Sequence, residues 1–132
     1  MKTLVAGLVF VIASLAQPPS HAQLERQLKF WQKRLGLEDW EICLQVVRQS
    51  ALDKNTWGNA EWDWDRKFAV INVLDPQDYN LKGNELRRDM ECTIVHELVH
   101  IQVAPLEAKD SEVREEVVNH IMTALINRPC PN

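Results

Sequence analysis

The chain lacks any excess of basic residues. Its 132 residues carry 15 Lys and Arg against 19 Asp and Glu, a formal net charge of −4. That balance excludes the electropositive footprint of a nucleic-acid-binding surface. Repeats, low-complexity stretches and linkers are absent too, which leaves a single domain. Long apolar runs are scarce. The one candidate, Leu4 to Ala16, is too short and too weakly flanked to favour a permanent membrane span. Cysteines are few and odd in number: Cys43, Cys92 and Cys130 allow one bridge and one free thiol, with the pairing open.

What is present begins with a leader. Lys2 gives a basic start, the apolar run follows, and Ser20-His21-Ala22 offers small residues around a cleavage point. Residues 1–22 therefore read as a signal peptide, and residues 23–132 as one compact domain with a short tail over 128–132. Export would place that domain in a periplasm or outside the cell, where disulfides form.

The densest chemistry lies in His96-Glu97-Leu98-Val99-His100. On a helix, histidines four residues apart share one face, so both imidazoles can reach a single Zn²⁺. Glu97 stands beside that face. From there it can take a proton from attacking water without using a coordination position. The spacing predicts a helix over Leu86 to Ala104, ended by Pro105. Met90, Ile94, Val95, Leu98, Val99, Ile101 and Val103 cover most of its circumference, which predicts burial. The polar gap holds Asp89, Thr93, His96, Glu97 and His100, which must meet interior partners or line a cleft.

A second helix is predicted over Glu112 to Asn127, with Asp110 or Ser111 as N-cap. A short connection makes the two an antiparallel hairpin. His100 lies four residues before the first helix stops, and Glu115 about four after the second begins. They should be level across the hairpin, which makes Glu115 the candidate third ligand. Glu116 competes, but helical phase points it toward solvent while Glu115 falls on the border of the apolar stripe. Asn119, one turn beyond Glu115, could hydrogen-bond a ligating histidine. His120 falls on the opposite flank. A second electrophile for an oxyanion has only weak candidates in His120, Tyr79, Arg87 and Arg88.

His96-Glu97-Leu98-Val99-His100 followed by Glu115-x-x-x-Asn119 resembles the gluzincin pattern of zinc metallopeptidases, at the size of the minigluzincins. The resemblance implies Glu97 as base, Glu115 as third ligand and Asn119 as support for a histidine. Here the gap between His100 and Glu115 is shorter than in large gluzincins, and Asn stands where Asp is commoner. No His-x-x-Gly-x-x-His continuation follows, which separates the chain from metzincins.

The rest of the chain predicts a frame for that hairpin. Gln23 to Leu35 reads as a helix with Leu24, Leu28, Trp31 and Leu35 on one stripe and Gly36 as its stop. Trp40 to Arg48 alternates as a strand. Ala60 to Trp64 and Phe68 to Leu74 read as a hairpin around Asp65-Arg66-Lys67. The expected class is α+β: an N-terminal helix, a small three-stranded sheet, then the active-site helix and a C-terminal helix. The five tryptophans either enlarge a small core or, as Trp57, Trp62 or Trp64, line a substrate groove. In the resembled peptidases an edge strand pairs with the peptide backbone, and Thr56 to Trp64 is the candidate edge.

These features lead to a small secreted zinc peptidase, a monomer acting on peptide or protein substrates, without a nucleic-acid partner or a membrane span once the leader is removed. Two alternatives stand beside it. One is a zinc-stabilised, non-catalytic peptide-binding or regulatory module. The other is a metal-free exported protein held by a disulfide and a Trp-rich core. A bolder possibility has the tail fold back so that Cys130 caps the zinc and keeps the enzyme latent.

Overall fold

The computed structural model describes residues 17–106 and 111–131. The chain opens with helix α1 (His21–Arg34), two residues earlier than the apolar stripe suggests. The cause is a capping box: Gln23 N–H donates to Ser20 Oγ at 3.2 Å, and Ser20 N–H donates to Gln23 Oε1 at 2.8 Å. Of the expected leader, residues 1–16 lie outside the described residues, whereas Ser20 caps α1 and His21 and Ala22 begin it. Leu24, Leu28 and Trp31 are buried along one face. Gly36 then turns the chain at φ +68°, a left-handed geometry that glycine adopts without strain. The buried Gln32 amide donates to the carbonyls of Leu37 at 2.8 Å and Trp40 at 2.7 Å, which fixes the approach to the sheet.

Three strands follow: β1 (Glu41–Val47), β2 (Gly58–Asp63) and β3 (Phe68–Leu74). They are ordered β1-β3-β2, with β1 parallel and β2 antiparallel to the central β3. Register places Ile42 opposite Ala69, Leu44 opposite Ile71 and Val46 opposite Val73. The β3 residues of these pairs are fully buried, so this face meets the helices. The outer face carries Glu41, Cys43 and Gln45, all exposed. The expected hairpin between β2 and β3 is present, and the expected edge over Thr56 to Trp64 is there as β2, whose outer side has no strand partner among the described residues.

Helix α2 (Gly83–Val103) crosses the inner face. It starts three residues before the expected Leu86, because Gly83 and Lys82 carry no side-chain cap that would mark the boundary. As the apolar circumference predicts, eleven of its residues are buried, Asp89, Thr93 and Glu97 among them. Helix α3 (Ser111–Ile126) returns antiparallel, with Val118 and Met122 buried against α2. The proposed N-cap Asp110 lies outside the described residues. No helix among the described residues is long and apolar enough to cross a membrane.

The cysteines settle differently from the latency idea. Cys92 and Cys130 form a disulfide, and Cys43 is free and exposed. The tail does fold back, but the Cys130 sulfur is committed to α2 and is not available as a zinc ligand. Arg128 pairs with Glu91, and Arg88 Nη2 donates to the Pro129 carbonyl at 3.2 Å, so the tail is fastened at three points.

Candidate metal centre

Spacing of four on α2 stacks His96 and His100, with ring centroids 4.7 Å apart. Their Nε2 atoms face each other at 3.0 Å. Antiparallel packing brings the first turns of α3 level with His100. Glu115 Oε2 then lies 3.3 Å from His96 Nε2, and Glu115 Oε1 lies 2.9 Å from His100 Nε2. Ligand atoms of His96, His100 and Glu115 thus lie within 4.8 Å of one another. Glu116 has no place in this cluster, as its helical phase predicts.

The donor set fits a tetrahedral metal. Zinc bound at about 2.0–2.1 Å keeps neighbouring ligand atoms about 3.3 Å apart, close to the spacings found here. Asn119 Oδ1 lies 3.1 Å from His96 Nδ1 and accepts its proton, which leaves the His96 Nε2 lone pair facing the Glu115 carboxylate. Two acceptors aimed at one point call for a cation between them. Burial lowers the pKa of His100, and the neighbouring His96 and Arg114 charges act in the same direction while Glu115 opposes them. Low basicity favours the neutral imidazole that binds metals.

Glu97 shares the polar face of α2 with Asp89 and Thr93, at a spacing of four residues each. It is only 6 % exposed. Burial pushes its carboxyl up to about 8, and the Glu115 charge adds to the shift. A carboxyl titrating near neutrality is suited to exchanging protons with a reactant.

These side chains floor a cleft of about 590 Å³. One wall is the edge strand and the loop before it, from Asn55 to Ala60, together with Trp62. The opposite wall comes from α3, through Arg114, Glu115, Asn119 and Met122. Cys92 and Cys130 also line it. The strand wall stands close because residue 58 is glycine. A β-carbon there would come within 2.6 Å of both the Asn72 carbonyl and Thr93 Cγ2, and 3.5 Å of Glu97 Oε1.

The tryptophans divide between the two expected roles. Trp31 and Trp40 are core residues, whereas Trp57 and Trp62 line the cleft. Trp64 packs edge-on against Trp40 at 4.9 Å and does not reach the cleft.

None of the weak candidates for a second electrophile lines the cleft. His120 is exposed, and Tyr79 belongs to the core, where burial raises its phenol pKa well above the ordinary value. Arg87 donates to the Gln17 carbonyl at 2.8 Å, and Arg88 holds the tail. The cation that does line the cleft is Arg114. It lies one turn before the buried Val118 on α3 and is itself exposed, so its spacing hints at this placement without marking it. Comparison of the chain with protein-family models, with curated proteins and with solved structures yields no match in any of the three.

Proposed function

We propose that the protein is a small exported zinc metallopeptidase of the gluzincin type. The observation that carries this reading is the convergence of His96, His100 and Glu115 in a cleft that also holds an uncoordinated, buried Glu97. A purely structural metal site has no use for such an acid.

His96, His100 and Glu115 would hold the ion, and Asn119, 3.1 Å from His96 Nδ1, would keep that ring turned toward it. Zinc in this position supplies Lewis acidity, which polarises a carbonyl and makes water nucleophilic near neutral pH. Glu97 receives the proton released as water attacks and returns it to the departing amine. Edge strand β2, with no strand partner on its outer side among the described residues, offers an edge to an extended peptide, and Trp57 and Trp62 offer apolar surface to its side chains. The Cys92–Cys130 bond supports an oxidising compartment, in line with export as a soluble monomer.

The test is Glu97→Gln assayed on a broad peptide library beside the wild type. The substitution should leave zinc bound and lower hydrolysis by about 10²–10⁴-fold. Hydrolysis at the wild-type rate with metal retained would remove Glu97 as base. A zinc-loaded wild type that binds peptides but cleaves none would instead be the non-catalytic module.

A further inference from the structure

Arg114 lines the cleft, and neither metal binding nor proton transfer uses it. The other charged side chains lining the space are Asp89, Glu97 and Glu115, so among the described residues Arg114 is its only Lys or Arg. It forms no ion pair among the described residues, although Glu115 is its neighbour in sequence. It also stands in the first turn of α3, where the helix dipole disfavours a positive charge. It is exposed to solvent yet lines the cleft, one turn ahead of the fully buried Val118. A solvent-exposed guanidinium that lines the cleft, with no ion-pair partner among the described residues, is open to an anion from outside the chain. Its planar fork suits a carboxylate, which it can grip through two parallel hydrogen bonds.

We infer that Arg114 is a specificity-determining residue that grips a carboxylate of the substrate, so that the cleft selects short peptides carrying a carboxylate next to the bond cleaved. The inference rests on the peptidase reading and narrows its substrate class. A cleft of about 590 Å³ suits a short peptide. The carboxylate has two possible sources, a free C-terminus or an Asp or Glu side chain.

Equilibrium binding to the zinc-loaded Glu97→Gln protein separates these sources without turnover. Three N-acetylated peptides serve as probes: one ending in a free acid, its C-terminal amide, and an amide carrying Asp at the last position. At least one carboxylate probe should bind about tenfold more tightly than the plain amide. Adding Arg114→Ala should abolish that preference while zinc content stays unchanged, and Arg114→Lys should restore part of it. The preferred probe identifies the source. Equal binding of all three probes, or a carboxylate preference that survives Arg114→Ala through the metal alone, would overturn the inference and leave the peptidase reading standing. Failure of every probe to bind would overturn both.

Discussion

Glu115 and Glu116 are chemically identical neighbours, and a rotation of about 100° along the helix decides which one meets the histidines. Asn119 follows the same arithmetic and reaches His96 Nδ1. At this scale a second position is as demanding. Gly58→Ala would set its new methyl 2.6 Å from the Asn72 carbonyl, a backbone atom that can move only if β3 moves. We expect a loss of about 1–3 kcal/mol in denaturant unfolding, with weaker peptide binding as β2 is pushed off α2. An unchanged unfolding midpoint would mean that the strand wall is not held by that contact. The clustering of His96, His100 and Glu115 is legible in the sequence because helical phase is rigid, and one spacing fixes several side chains at once. Arg114 is less legible. Its spacing from Val118 can be read, but an arginine in a first turn also reads as a solvated surface residue until the opposite wall is in place.

Among the elements, order and type follow from apolar periodicity, while boundaries shift where capping intervenes. Helix α1 begins at His21 because Ser20 and Gln23 cap each other, and a leader cut after Ala22 would remove that cap. The parallel pairing of β1 with β3 is not readable from alternation alone, since alternation fixes faces and not neighbours. The disulfide pairing is equally hidden, because three cysteines allow several pairings and only the returning tail selects one. Cys92 and Cys130 are separated by 38 residues, and closing a loop of that size removes up to about 4 kcal/mol of unfolded-state entropy. Cys130→Ser should therefore destabilise the protein by about 2–4 kcal/mol in denaturant titration, and reductant should lower the wild type to the same level. A reductant effect on the Cys130→Ser protein would place the loss elsewhere.

The link between β1 and α2 makes a separate prediction. Arg48 donates to Asp78 from Nε at 2.8 Å and from Nη2 at 2.7 Å, and Gln49 N–H adds a bond of 2.9 Å. These contacts hold the Asp78 carboxyl down at about 2, against an ordinary value of 3.8. The folded form thus keeps its charge at a pH where the unfolded form has taken up a proton. The stabilisation is complete above the ordinary value and is lost as pH falls through the depressed one. Asp78→Asn should lower the melting temperature at neutral pH, with the gap to wild type closing between about pH 4 and pH 2. A gap that stays constant over that range would show that the charge is not what matters.

Over the whole molecule, a small sheet and α1 serve one purpose: with α3 they bury most of α2 and leave His96 and His100 half-buried at the candidate site. The α+β architecture is legible because each of its elements declares its own period. The cleft is not, since its width depends on Gly58 and its end on where the tail is fastened. Net acidity, the edge strand and the disulfide fit an exported protein that handles peptides, but the account stands or falls on the metal. The most direct test is zinc stoichiometry after reconstitution and dialysis, measured on the wild type, Glu115→Ala and Glu116→Ala side by side. The wild type and Glu116→Ala should each retain one zinc per chain, and Glu115→Ala should lose it. A wild type that takes up no zinc, or a Glu115→Ala protein that holds it as firmly as the wild type, would contradict the centre described here.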